Sequence, residues 1–204
     1  MKKTKSKPKQ TLARVLPWIL LIGGIIGVLS AAILTAEKIS LLQNPNGHLG
    51  CDLNPIVACG PVINTDQASA FGFPNPFIGL AGFAVVATVG GALLAGATFK
   101  RWFWLGLQFG VVFAVGFVTW LQFQTIFNIG ALCPFCMIVW AVTIPIFWYV
   151  TLYNLREGHI KTPAKLSRPV DFMQRHHGDI LILWYLILIG IILNHFWYYW
   201  KTVL

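Results

Sequence analysis

The sequence predicts an all-α protein that crosses a membrane five times. Of its 204 residues, 57% are hydrophobic and only 10% are charged, whereas a soluble domain carries about 25% charged residues. Five apolar runs contain 20 or more residues each with almost no charge, and about 20 residues are needed to cross a hydrocarbon core of about 30 Å. The runs cover residues 15–34, 77–99, 102–127, 133–153 and 180–200. A soluble helical core would need polar faces at the helical period, and these runs have none.

The first run follows a basic segment, residues 1–14, which we expect to form a tail. A basic start before an apolar run is also typical of a cleaved signal peptide. The run is too long for the apolar part of a signal peptide, and four further runs follow it. We therefore expect the first run to remain in the protein as its first span.

The net charge of +9 is distributed unevenly along the chain. Five spans place the amino-terminal segment, the turn between spans two and three, and the loop between spans four and five on one side of the membrane. These segments hold 13 of the 15 Lys and Arg residues, and only Lys38 and Lys201 lie on the other side. Basic loops stay in the cytoplasm. The pattern predicts a cytoplasmic amino terminus, and it explains the charge without a nucleic-acid partner.

The connections between the spans predict how they are arranged. Spans two and three, and spans three and four, are joined by short turns, so each pair is expected to form antiparallel neighbours. Residues 15–153 would form a four-helix core, with residues 37–76 as its only sizeable outside loop. Residues 154–179 would be a cytoplasmic loop, and residues 180–204 would add a fifth span outside the core.

All four cysteines are predicted to lie at the outside face. Cys51 and Cys59 fall in the outside loop, whereas Cys133 and Cys136 fall at the outside end of span four. The outside is the oxidising compartment, in which disulfides form and persist. Cys51 and Cys59 enclose seven residues, so a disulfide between them can close, open and pass one sulfur to another partner.

Cys133 and Cys136 stand at the start of a predicted helix, with Pro134 at the first helical position. The partial positive charge of a helix amino terminus favours a thiolate. Residues three apart share a helix face, so both sulfurs can reach one common neighbour. At the membrane interface that neighbour can be a lipid-soluble molecule.

Three roles are compatible with these cysteines. Structural disulfides are common outside the cell, but helices in a bilayer seldom need them. A zinc site of four thiolates would prefer two closely spaced pairs, which the seven-residue gap and the oxidising side disfavour. A redox relay through two pairs uses every feature. Two other classes of protein remain open: a transporter with structural disulfides, which would show inverted repeats or broken helices, and a membrane redox sensor without turnover.

Two segments resemble the vitamin K epoxide reductase family in its prokaryotic stand-alone form. They are CDLNPIVACGPVINTDQASAFGFPNPFIGLAGF at residues 51–83 and TWLQFQTIFNIGALCPFCMIVW at residues 119–140. A Cys-Asp pair, a second Cys eight residues later, a Thr six residues further and a downstream Cys-Pro-aromatic-Cys make the resemblance specific. It covers roughly residues 15–153.

The resemblance implies a thiol-dependent quinone reductase, built as a four-helix transmembrane bundle around a quinone site. It would lie in a bacterial plasma membrane, reoxidise a separate extracytoplasmic protein of the thioredoxin fold, and reduce a quinone of the menaquinone, ubiquinone or vitamin K type without a metal. Cys51 would meet the partner protein. Cys59 would form a transient disulfide with Cys133, and Cys136 would be the thiolate that faces the quinone.

The resemblance also implies four residues of the quinone pocket. Asn75 matches an asparagine that hydrogen-bonds a quinone oxygen, Thr65 falls at a Ser/Thr position near the quinone-side cysteine, and Phe71 matches a pocket aromatic residue. Trp140 stands where the vertebrate enzymes have a tyrosine, and the loop between Phe71 and Asn75 is shorter than theirs. These two departures concern epoxide reduction and leave quinone reduction unaffected.

Overall fold

The computed structural model describes residues 8–44, 49–161 and 167–203. Within these ranges the protein is helical and contains no strand. The helices are α1 (Pro8–Gln43), α2 (Gly60–Ile63), α3 (Pro76–Leu94), α4 (Arg101–Phe123), α5 (Pro134–Arg156), α6 (Ser167–Arg175), α7 (His177–His195) and α8 (Trp197–Val203). A 3-10 turn at Asp66–Ser69 precedes α3, and a π-helical segment at Gln124–Ile129 continues α4. Helices α1, α3, α4, α5 and α7 are long and apolar enough to cross a membrane. The prediction of an all-α polytopic membrane protein is confirmed.

Helix α1 is longer at both ends than the apolar run that predicted it. It begins at Pro8, so part of the segment expected as a tail is helical, whereas residues 1–7 lie outside the described residues. At its other end it continues to Gln43 because Leu34 and Leu41 are buried against the segment that carries the cysteines. Lys38 strengthens this contact, since its Nζ donates to the carbonyl of Ile63 at 3.0 Å.

Helices α1 and α3 pack backbone to backbone in antiparallel orientation. A Cβ atom on Gly24 would lie 2.5 Å from the backbone nitrogen of Ala87, and one on Gly90 would lie 2.4 Å from that of Leu21. No real side chain fits at these distances. The two glycines therefore set the close approach of the helices, as small residues do at interfaces between membrane helices.

Helices α4 and α5 pack together through a polar network at the end of the bundle away from the cysteines. The fully buried Asn154 donates through Nδ2 to the carbonyl of Trp104 at 3.2 Å and to Oε1 of Gln108 at 3.0 Å. Gln108 donates in turn to Oγ1 of Thr151 at 2.9 Å. The ring of His159 contacts Oδ1 of Asn154 at 3.0 Å. The prediction that spans three and four are neighbours is confirmed.

The prediction that spans two and three pack against each other is wrong. Helix α3 packs along α1 and α4 packs along α5, whereas α3 and α4 make few direct contacts and are separated by a cavity that both of them line. Glycines at the facing positions leave this space open, because a Cβ atom on Gly82, Gly106 or Gly110 would meet no atom within 4 Å.

Helix α7 lies against the outside of the four-helix core, and none of its residues is buried. The hydroxyl of Tyr185 donates to the carbonyl of Ala141 at 2.6 Å, and Nε1 of Trp148 donates to the carbonyl of His177 at 3.1 Å. These bonds fix α7 alongside α5. Helix α6 forms within the polar segment 154–179 and connects the two.

Candidate functional site

The four cysteines meet at one end of the bundle, which we call the cysteine end. Cys51 and Cys59 form a disulfide, whereas Cys133 and Cys136 are free thiols. The sulfur of Cys133 lies 3.4 Å from that of Cys59, and both residues are fully buried. Thiol–disulfide exchange proceeds by attack of a thiolate on a disulfide sulfur. The structure thus brings a free thiol into contact with the disulfide that it can exchange with.

Asp52 holds the backbone of Cys59 in place. Its Oδ1 accepts hydrogen bonds from the backbone N–H of Cys59 at 2.7 Å and from that of Gly60 at 2.9 Å. These groups begin α2, whose first N–H groups have no partner within the helix. Asn54 orders the middle of the same loop, since its Oδ1 accepts from the backbone N–H groups of Ile56 and Val57 at 3.0 and 2.7 Å.

A short backbone bridge joins the two segments that carry the cysteines. Leu132 N–H donates to the carbonyl of Ile56 at 2.7 Å, and Ala58 N–H donates to the carbonyl of Leu132 at 3.0 Å. Ala58 precedes Cys59 and Leu132 precedes Cys133, so the bridge sets the two sulfurs side by side.

The chain reaches this bridge from α4 through the π-helical segment. That segment ends at Gly130, whose φ of +70° is a left-handed conformation that glycine adopts without steric cost. The N–H of Gly130 donates to the carbonyl of Thr125 at 3.0 Å. The sharp turn at Gly130 returns the chain toward α5 with only three residues left before Pro134.

Cys133 precedes the first residue of α5 and caps it. Its sulfur accepts a hydrogen bond from the backbone N–H of Cys136 at 3.3 Å. The partial positive charge of the helix amino terminus also favours a negative charge at this position. Cys133 is therefore the sulfur that the site favours as a thiolate, in agreement with its predicted helix-start position.

A cavity of about 570 Å³ extends from Cys136 between α1, α3, α4 and α5. This volume falls in the range of roughly 300–1,000 Å³ that is usual for small-molecule sites. Most of the wall is apolar or aromatic, and the polar lining residues near the cysteine end are Lys38, Thr65, Gln67, Asn75, Gln124 and Thr125. The cavity suits a lipid-soluble molecule whose polar part lies beside Cys136.

Three of the four predicted pocket residues line this cavity. Asn75 does so while its Nδ2 donates to the carbonyl of Gln67 at 2.7 Å and its Oδ1 accepts from the N–H of Ala70 at 3.1 Å. Thr65 donates its hydroxyl to the carbonyl of Val62 at 2.8 Å. Trp140 is buried in the wall.

Phe71 does not line the cavity. Half of its surface is exposed, and its ring packs against those of Phe113 and Phe117, with centroids 6.2 and 5.4 Å apart. These two phenylalanines belong to the cavity wall. The turn at Gly72, whose φ is +82°, places Phe71 behind that wall instead of in it.

The sequence patterns gave little or no indication of two residues that stabilise the cysteine end. Asp52 follows Cys51 directly, but its bonds to Cys59 and Gly60 appear only when the loop is folded. Lys38 is one of only two basic residues on the predicted outside, and this unusual position is the sequence feature that points to it. Among the residues that the structure describes, no group of three or more His, Cys, Asp or Glu side chains is placed to hold a metal ion.

The profile of the Vitamin K epoxide reductase family matches residues 18–151. The match spans α1 to α5 and includes all four cysteines, whereas α6, α7 and α8 lie beyond it. Among curated proteins no match to the chain was found.

Proposed function

Since the chain belongs to the vitamin K epoxide reductase family, we propose that it is a membrane thiol:quinone oxidoreductase that reoxidises a separate protein of the thioredoxin fold. The family supports a membrane oxidoreductase that generates disulfide bonds. The finer proposal depends on one observation: a free thiol contacts the Cys51–Cys59 disulfide at 3.4 Å, and its neighbour Cys136 lines a cavity of suitable size for a quinone.

Electrons pass inward through three successive exchange reactions. The reduced partner protein opens the Cys51–Cys59 disulfide and becomes oxidised. The Cys59 thiolate then attacks Cys133 in a Cys133–Cys136 disulfide, which releases Cys136 as a thiolate. Finally, the Cys51 thiolate attacks Cys59, re-forms the first disulfide and releases Cys133. Together these steps move two electrons from one pair to the other.

The second pair then reduces the quinone. Cys133 and Cys136 deliver two electrons and two protons, re-form their disulfide and leave a quinol, which returns to the bilayer. This cycle contains a state in which Cys51 and Cys59 are joined while Cys133 and Cys136 are free. The structure contains the same combination of bonds, which supports the inclusion of this state in the proposed cycle.

Asn75 and Trp140 are the proposed hydrogen-bond donors to the two quinone oxygens. The amide nitrogen of Asn75 carries two hydrogens, and the carbonyl of Gln67 uses one, so the other is left for a quinone. The indole N–H of Trp140 has no hydrogen-bond partner among the described residues. Thr65 uses its own hydrogen on Val62, so its oxygen suits a quinol hydroxyl as an acceptor. Phe71 acts on the pocket through the aromatic wall that it supports.

We further propose that the cysteine end faces outward from a bacterial plasma membrane and that the amino terminus is cytoplasmic. The positive charge of the opposite loops supports this orientation. Cys51 is only 4% exposed, so a partner protein reaches its sulfur only if the loop from Leu49 to Cys59 opens. Leu53, which is 70% exposed in that loop, offers an apolar contact for such a partner.

Turnover tests the proposal. Purified protein in lipid nanodiscs is mixed with a reduced thioredoxin-fold protein and a short-chain quinone, and quinone absorbance is followed. Cys51→Ala should lose turnover with the protein donor but keep quinone reduction by a small dithiol, whereas Cys136→Ala should lose both. Thr119→Ala, on the exposed face of α4, is the control.

Two results would contradict the assignment. Quinone reduction by Cys136→Ala at the unaltered rate would remove Cys136 from the quinone site. A single stoichiometric reduction without turnover would identify a redox sensor instead of an enzyme.

A further inference from the structure

Phe196 is the point at which the fifth span enters the core. No residue of α7 is buried, yet Phe196, which links α7 to α8, is fully buried. Its backbone continues the helical bonds on both sides, since its N–H donates to Ile192 and its carbonyl accepts from Tyr199, each at 3.0 Å. The junction between the two helices thus drives one large aromatic side chain inward.

Phe196 belongs to a buried cluster that includes both halves of the backbone bridge. Ile56 and Leu132, which are joined by that bridge, are two of its members, and Trp140 of the cavity wall is a third. The remaining buried members, Val118 and Ile126, come from α4 and the π-helical segment. The cluster therefore lies directly behind the residues that place Cys59 beside Cys133.

Ring contacts hold the end of α7 at this position. The ring of His195 packs edge to face on Phe127 of the π-helical segment, with centroids 5.1 Å apart, and on Phe196 at 5.2 Å. At mid-helix, Tyr185 is bonded to Ala141. Contacts at the middle and at the end of α7 thus fix its direction and hold Phe196 at the cluster.

We propose that Phe196 is a positioning residue for sulfur transfer. It fills the space behind the bridge between Ile56 and Leu132, and so keeps the sulfurs of Cys59 and Cys133 at exchange distance. The inference rests on the proposed function. Phe196 lies outside the residues that match the family, 18–151, so the fifth span supplies a constraint that the matched region does not contain.

The test isolates one exchange step and needs no quinone. In a Cys136→Ser background, the Cys133 thiolate attacks Cys59, the Cys51–Cys59 bond breaks, the Cys59–Cys133 bond forms and Cys51 leaves as a thiolate. Iodoacetamide traps the released Cys51. Mass spectrometry of the full-length protein in nanodiscs then gives the rate at which alkylated Cys51 and the Cys59–Cys133 disulfide appear together.

Phe196→Ala should slow this step by about 100-fold, which is the typical cost when a reacting group is displaced by about 1 Å. Phe196→Leu, which refills most of the volume, should restore most of the rate. Ile189→Ala removes an apolar side chain of α7 that is 50% exposed and should leave the rate unchanged. Thermal unfolding of each variant, followed by loss of monodisperse protein, shows whether it is folded.

A rate in Phe196→Ala within about twofold of the background would overturn the inference, as would an equal loss in Ile189→Ala. If Phe196→Ala does not fold, Phe196→Leu and Phe196→Val decide the question, because the rate must fall as the side chain becomes smaller; equal rates refute it. Failure of the unaltered protein to reduce quinone would refute the proposed function and leave this exchange test intact.

Discussion

Replacing Asp52 by alanine removes the carboxylate that holds the start of α2. Two backbone N–H groups lose their acceptor, those of Cys59 at 2.7 Å and Gly60 at 2.9 Å. A hydrogen bond to a charged group contributes about 1.5–3 kcal/mol, and truncation of a helix cap costs about 0.5–2 kcal/mol. Water can replace part of the bond to Gly60, which is solvent-exposed, so we expect a combined loss of about 2–3 kcal/mol. That is a factor of about 30 to 160 in the opening equilibrium of the loop.

Hydrogen–deuterium exchange of the peptide that contains Cys59 and Gly60 measures this opening directly, because amide exchange reports local unfolding. Asp52→Ala should exchange faster by the stated factor. Asp52→Asn keeps an acceptor oxygen without the charge, so its exchange rate should lie between those of the unaltered protein and Asp52→Ala. Asp66→Ala removes an exposed carboxylate between α2 and α3 and serves as the control. Unchanged exchange in Asp52→Ala, or equal acceleration in Asp66→Ala, would show that Asp52 does not hold Cys59.

A further prediction concerns the packing of α1 against α3. Gly90→Ala places a Cβ atom 2.4 Å from the backbone nitrogen of Leu21, so it should separate α1 from α3 and lower the thermal unfolding temperature. Gly106→Ala is the control, because its Cβ atom would meet no atom within 4 Å and the unfolding temperature should not fall. Equal unfolding temperatures of the two variants would contradict the packing argument.

The spans were predictable because the length and apolar character of a segment decide whether it can cross a bilayer. Which spans pack against each other was not predictable. A short turn predicted that α3 and α4 pack together, but a turn fixes only the distance between two helix ends. The glycines that determine the contacts are present on both sides of the cavity. Gly90 meets a backbone and Gly106 meets empty space, and nothing in the local sequence distinguishes them.

The candidate site was likewise predictable only in part. The four cysteines carry a recognisable spacing, and the structure brings all of them to one end of the bundle. The bridge between Ile56 and Leu132 is formed by backbone atoms of segments 76 residues apart, so no pattern of side chains predicts it. Phe196 is hidden for a similar reason. It adjoins the aromatic residues Trp197 and Tyr198, which are exposed, and only its burial distinguishes it from them.

The separation of α3 from α4 bears on how the proposed quinone would reach the cavity. Both walls of that gap belong to the cavity, and Val85, Trp102 and Phe113 expose much of their surface while they line it. Helix α3 is held by α1, and α4 is held by α5, so neither tight pair has to come apart for a molecule to pass between them. In the proposed cycle the quinone and quinol would thus travel sideways within the bilayer, while the partner protein would approach from the aqueous side. The two proposed reactants would thus reach opposite ends of one relay of sulfurs, the partner protein from water and the quinone from lipid.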